Sequence, residues 1–244
     1  MSWAPAKRFW KGVEVREAEG GFAVLLDARP LRTPGRHPVV VPAAALARAI
    51  AAEWAAIEAE IRPEALPFTR MANTAIDRVP VQRAAVVEAV LAYAGSDLLC
   101  YRADAPVELA RRQTAAWDPW LAWARTRFSA PLFAIVGVMP APQPPASIAA
   151  LGRAVEAFDD FALSALGELV TLSGSLVLGL AVAHGALAPA EAWELSRLDE
   201  DWQAEQWGVD AEAAAAASRK AADFRRAAEF LALLGEGNAA QGEP

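Results

Sequence analysis

The sequence is poor in residues that staple, chelate or catalyse. Cysteine occurs once, at Cys100, and histidine twice, at His37 and His184, in 244 residues. A lone thiol excludes an internal disulfide, and so few Cys and His cannot supply a zinc site of ordinary spacing. No metal or cofactor is therefore expected, and a reducing compartment suits the chain. Positive charge is also scarce. Lys and Arg number 23 against 30 Asp and Glu, a net charge of −7, so the basic footprint that nucleic acid requires is lacking. No glycine-rich phosphate loop is present, and no segment repeats at a period of roughly 20 to 50 residues. The longest apolar stretch, Leu169 to Ala183, lies between Glu168 and His184 and falls short of the roughly 20 residues that a bilayer requires. It reads as a buried helix. Within it Ser175, Gly179 and Ala183 recur every fourth residue, a strip without bulk where another helix of the same chain can approach. The opening MSWAPAKRFWKG carries basic residues with no apolar run behind them, so neither a signal peptide nor a transit segment is expected.

What is abundant is alanine. Hydrophobic residues make up 55% and charged ones 22%, a globular balance, and the alanine excess favours helix. The first forty residues differ. Val13 and Val15 alternate with Glu14 and Arg16, and Phe22, Val24 and Leu26 alternate with Ala23, Leu25 and Asp27, across Gly20-Gly21. Two period-two runs about a glycine turn predict a hairpin. Arg29 to Arg32 and Val39 to Val41 add short strands, confined to edges by Pro30, Pro34, Pro38 and Pro42.

From Ala43 the period becomes helical. Leu46, Ile50, Trp54, Ile57 and Ile61 form one stripe. Helices are predicted over 69–79 and 81–94, divided at Pro80, and over 106–128 with an interruption at Pro119. Asp97 to Tyr101 fits a strand or a helical turn equally well. Leu132 to Val138 reads as β and Pro140 to Pro145 as a rigid connector. Further helices are predicted over 147–172, 175–184, 189–207 and 211–234, followed by a frayed Gly/Asn/Gln tail. The fold class is α+β: a small N-terminal antiparallel β domain over 1–42, followed by a larger, mostly α-helical domain over 43–244.

Chemistry is harder to find. His184 ends an apolar helix, where it complements the helix dipole, His37 sits in a proline-rich turn, and Cys100 between Leu99 and Tyr101 reads as a buried, inert thiol. The nine tryptophans stand out. In WELSRLDEDWQAEQW, Trp193 to Trp207, a single helical wheel puts Trp193, Glu200, Ala204 and Trp207 on one side and Leu195, Leu198 and Trp202 on the other. A helix apolar on two sides is either buried on both or offers one to a partner, and tryptophan dominates the centres of interfaces. Glu200, spaced seven residues from each flanking tryptophan, needs a mate: an internal arginine such as Arg70 or Arg78, or a basic residue of a partner. Two competing readings are an enzyme using a cleft of Asp77, Arg78, Asp97 and Arg102, and a self-associating structural protein.

A family likeness runs in order along nearly the whole chain: KRFWKGVEV (Lys7 to Val15), GFAVLLDARPLRTP (Gly21 to Pro34), LARAIAAEW (Leu46 to Trp54), LPFTRMANTAIDRV (Leu66 to Val79), YAGSDLLCYRADAP (Tyr93 to Pro106), WDPWLAW (Trp117 to Trp123) and LDEDWQAEQWG (Leu198 to Gly208). Together these resemble ATP synthase assembly factor 2, the chaperone of the alpha subunit of the F-type ATP synthase catalytic head. The resemblance implies a β domain followed by a helical one, no catalysis, no cofactor, and the free alpha subunit as partner. It also implies a bacterial cytoplasmic protein whose organelle relatives work in the mitochondrial matrix. The family's acidic motif falls on Asp199, Glu200 and Asp201. With Trp193, Trp202 and Trp207, these are the expected partner-binding residues, Glu200 foremost. Ala28 departs from the glycine of the LDGRPLRTP form.

Overall fold

The computed structural model describes residues 7–137, 139 and 141–239, with the backbone alone from 236 onward. Packing divides the described residues into two units, one from 7–83, 160–165 and 229–239, the other from 84–159 and 166–228.

In the first unit the alternating runs pair as predicted. β1 (Val13–Ala18) and β2 (Gly21–Leu26) are antiparallel, Val13 opposite Leu26. Glycine is required at Gly21, where a Cβ would stand 2.2 Å from the Val41 carbonyl oxygen. β3 (Arg29–Pro30) follows through a two-residue turn in which Asp27 and Ala28 both have positive φ, 47° and 65°. That geometry prefers glycine in the second place, so the turn is where alanine costs something. β4 (Val40–Val41) pairs with the other end of β2. Val24, Leu26 and Val41 are buried, as are Leu46, Ile50 and Trp54 of α1 (Ala44–Ala55), which packs on β1 and β2.

The predicted stripe outruns that helix. α1 ends at Ala55, so Ile57 and Ile61 come after it, although Ile57 stays buried. Glu53 then serves the next helix, α2 (Pro67–Asn73): its carboxylate accepts the N–H groups of Phe68 and Thr69 at 2.6 and 2.9 Å. A distant side chain thus satisfies donors that a helix start leaves unpaired. The predicted division at Pro80 is displaced. A π turn over Thr74–Arg78 leads directly into α3 (Val79–Leu91), and the backbone leaves helical geometry at Gln82 instead (φ −129°, ψ 29°). Proline crowds the carbonyl four residues back; here that is Ile76, inside the widened turn.

In the second unit Asp97 to Tyr101 resolves into a 3₁₀ turn, Leu98–Cys100, running into β5 (Tyr101–Arg102). α4 (Val107–Phe128) is unbroken at Pro119, which lies on its exposed side, where water can serve the carbonyl that loses its N–H partner. Of the stretch expected to be β at 132–138, only β6 (Ile135–Val136) is strand, parallel to β5; Val138 and Pro140 lie outside the described residues. The single helix predicted over 147–172 is two, α5 (Pro145–Glu156) and α6 (Asp160–Ser173). α7 (Leu176–Ala183) carries the apolar run and is buried from Leu176 to Val182. A Cβ on Gly179 would meet Val170 at 2.6 Å, so the small-residue strip does serve close packing within the chain. No helix among the described residues is long and apolar enough to cross a membrane.

Three helices follow: α8 (Pro189–Ser196), α9 (Leu198–Trp207) and α10 (Ala211–Ala239), the last belonging to the second unit as far as Ala228. The segment 189–207, read as one helix, breaks at Arg197 (φ −105°, ψ 4°). The carbonyls just before the break are taken by side chains. Ser196 Oγ donates to Trp193 O at 2.7 Å, and the buried Trp117 indole donates to Leu195 O at 2.9 Å. α10 runs five residues past Leu234, where a tail was expected; residues 240–244 lie outside the described residues.

Candidate functional site

α8, α9 and the first turns of α10 enclose an open groove of about 720 Å³. Gly208, with φ 93°, ends α9 and turns the chain. Asp210 Oδ1 then starts α10 by accepting the N–H groups of Glu212 and Ala213 at 2.8 and 3.0 Å. The groove floor is alanine, with Ala204 from α9 and Ala213, Ala214, Ala217 and Ala221 from α10; Trp193, Trp207 and Val209 supply the bulk. Trp193 is half-buried, its ring 5.8 Å from Phe224. Trp207 is 79% exposed. Four carboxylates, Glu194, Glu200, Asp201 and Asp210, line the groove against two cations, Arg197 and Lys220.

The six sequence-predicted residues divide between two faces. Glu200, Asp201, Trp193 and Trp207 line this groove. Asp199 and Trp202 are engaged with α4: Gln113 Nε2 donates to Asp199 Oδ1 at 2.7 Å, and the Arg112 guanidinium lies 4.8 Å from the Trp202 ring. Arg112 also grips Glu205 with two bonds, at 2.8 and 3.0 Å, which raises the arginine's pKa and lowers the carboxylate's. The helix is interrupted at Arg197, yet Trp193, Glu200, Ala204 and Trp207, which the wheel put on one side, all line the groove. Neither Arg70 nor Arg78 is the mate of Glu200. Arg197, one turn back, takes that place at 3.1 Å. Sequence reading overlooked Glu194, Asp210 and the alanine face of α10, although the run from Ala213 to Ala217 was a visible signal of a helix face without bulk.

Of the residues of the competing cleft, Arg78 is exposed and the other three are committed elsewhere. Asp77, in the first unit, accepts from the Thr33 hydroxyl at 2.7 Å and the Gly35 N–H at 2.8 Å and meets His37 Nδ1 at 2.8 Å. Burial pushes its carboxyl up, but the bonds from His37, Thr33 and Gly35 outweigh it and the net shift is downward. In the second unit, buried Asp97 accepts from the Ser175 hydroxyl at 2.7 Å and from the N–H groups of Val177 and Leu99 at 3.0 Å each, fixing the starts of α7 and of the 3₁₀ turn. Desolvation pushes it up to about 6. Arg102 bonds Asp118 at 2.7 Å and lies over Trp117. Cys100 is fully buried, and burial with the nearby Asp97 charge raises its thiol to about 12, which leaves it protonated and inert. His184 caps α7 among Trp123, Phe128 and Phe158, and burial followed by the Arg127 charge lowers its pKa. Among the described residues no group of three His, Cys, Asp or Glu could hold a metal ion.

Residues 7–125 match the family model described as ATP12 chaperone protein. The crystal structure of Atp12 from Paracoccus denitrificans superposes with a TM-score of 0.89 at 50% identity, over 94% of this chain and 98% of that one. Atu1473 protein from Agrobacterium tumefaciens gives 0.90 at 44% identity, over 93% and 86%. Protein atp12, mitochondrial, from Schizosaccharomyces pombe is 23% identical over 214 residues, 83% of this chain and 74% of that protein. With half its residues identical over nearly the full length of a solved relative and the same arrangement of sheet and helices, the chain belongs to the ATP12 chaperone family.

Proposed function

We propose that this chaperone serves ATP synthase assembly by binding the free alpha subunit through the α8–α9–α10 groove, holding it until a beta subunit replaces the contact. The observation that carries the reading is the groove itself: an alanine floor, a tryptophan at the lip with most of its surface in water, and an excess of carboxylates around it. A subunit awaiting its neighbour exposes an apolar interface that self-associates unless covered. A cover that must later leave needs modest apolar area plus charges that speed encounter without locking the complex. The net charge of −7 favours approach to a basic edge. The chain acts as a binding protein without catalysis or cofactor, in the bacterial cytoplasm.

Glu200→Lys tests the reading. The Arg197–Glu200 pair is exposed and one turn apart, worth at most about 0.5 kcal/mol, so the thermal melt stays in place. Capture of alpha subunit free of beta from a cell lysate, identified by mass, is lost with the variant and retained by wild type. A variant that unfolds, or one that captures alpha subunit as well as wild type, removes Glu200 from the interface.

A further inference from the structure

A second apolar groove, of about 570 Å³, opens in the first unit. Its walls are Phe9, Leu26, Leu31, Trp54 and Ile61. Phe9 is 70% exposed while its ring sits edge-on to Trp10 at 5.1 Å, and Trp10 in turn contacts Trp54 at 5.0 Å. The lip aromatic is thus braced by a buried stack rather than free to collapse. Trp10 is 3% exposed, and its indole N–H is buried with no acceptor among the described residues.

The charge at this groove is of one sign. Arg29 and Arg32 line it, both exposed, and no carboxylate among the described residues does. Neither guanidinium is in an ion pair among the described residues. Arg32 donates to the Arg36 carbonyl at 2.7 Å. Arg29 feels the Asp27 charge, but that carboxylate is held by the N–H groups of Lys11 and Gly12 at 2.8 to 3.0 Å. Guanidinium groups beside an apolar wall keep most of their donors available, and they recognise carboxylates with two parallel bonds.

We propose that this groove is a second docking site, taking a partner polypeptide segment in which large apolar side chains are flanked by Asp or Glu. The apolar side chains enter against Phe9, Leu31 and Trp54, and the flanking carboxylates pair with Arg29 and Arg32. This site selects for the opposite charge from the α8–α9–α10 groove and does not rest on the alpha-subunit reading.

The test is anisotropy of a fluorescein-labelled, end-blocked peptide, Glu-Leu-Phe-Leu-Glu, titrated with the full chain, beside its Gln-flanked counterpart. The acidic peptide binds saturably, at least about tenfold tighter than the neutral one, an increment within reach of charge-assisted pairs. Raising the salt weakens it. Arg29→Glu/Arg32→Glu abolishes binding of the acidic peptide, and Phe9→Ala weakens both peptides; all three positions are exposed, and circular dichroism verifies that the variants fold. Glu200→Lys leaves the acidic peptide's affinity unchanged, so loss of alpha-subunit capture and loss of this site are read separately. Absence of binding, equal binding of the two peptides, or an unchanged affinity in the double variant overturns the proposal. So does a dimer of the chain alone that the double variant dissociates without any peptide binding, which assigns the groove to a second copy.

Discussion

The two grooves are alike in being apolar and aromatic and differ in what holds their tryptophans. In the first unit Trp54 forms groove wall and core together: it is 8% exposed, its indole donates to the Thr69 hydroxyl at 3.0 Å, and Thr69 in turn bonds Glu53. In the second unit Trp207 stands at the lip, 79% exposed, with nothing folded over it. A surface built from core residues is rigid but costs stability to alter. One built from lip residues can be changed freely, so it reports on binding alone. The comparison also separates the charges: arginines edge the first groove, whereas carboxylates outnumber cations around the second.

The contrast can be broken most forcefully at Trp54. Trp54→Ala removes a buried ring and a hydrogen bond, a loss of about 3 to 5 kcal/mol, visible as a large drop in the denaturant midpoint. A drop under about 1 kcal/mol would mean the wall is not core.

Acid distinguishes the units next. Asp97 has a folded-state pKa of about 6 against an ordinary value of 3.8, so between those values the folded state holds a proton that the unfolded chain releases. Its contribution is greatest at low pH and declines as pH rises through 6, by roughly 3 kcal/mol in all. Asp77 behaves oppositely: its pKa is lowered, so its contribution is present above the unfolded value and lost as pH falls through the folded one. Urea melts at pH 7, pH 4 and about pH 2.5 should show Asp97→Asn removing a loss between pH 4 and pH 7, and Asp77→Asn removing one below pH 4. The same sign for both would contradict the assignment.

A smaller effect sharpens the first unit. Ala28 holds φ at 65° in a two-residue turn, a conformation that costs a residue with a Cβ about 1 kcal/mol. Ala28→Gly should raise the melting temperature accordingly, and no rise would show that the turn relaxes around alanine. The smallest effect is at the lip: Trp207→Ala should leave stability within about 0.5 kcal/mol of wild type while weakening client capture.

The hairpin was legible because its evidence is local: alternation sets the face of each residue, and Gly20-Gly21 sets the turn. The apolar run at α7 was legible for the same reason, and so was the burial of Cys100. Helix ends were not. Pro119 read as a break, yet its helix runs on; the break expected at Pro80 falls at Gln82; and those at Arg197 and at 157–159 carry no proline. Two of the six candidate site residues, Asp199 and Trp202, were misplaced for the same reason. Asp199 was expected at the interface beside Glu200, but Gln113 claims Asp199 and leaves Glu200 at the groove.

From sequence alone came the α+β class, the order of sheet then helices, the family, and the acidic tryptophan-rich segment as the place to look. These follow from periodicity, composition and motif, which act between near neighbours along the chain. Tertiary structure decided which carboxylates are occupied, where the helix at Arg197 stops, and that the side bearing Trp193, Glu200 and Trp207 is an open groove rather than buried. The reason is that the deciding partners are remote in sequence: the indole of Trp117 takes the carbonyl of Leu195, 78 residues away, and Gln113 reaches Asp199 across 86. No local pattern records bonds that exist only once the chain has folded.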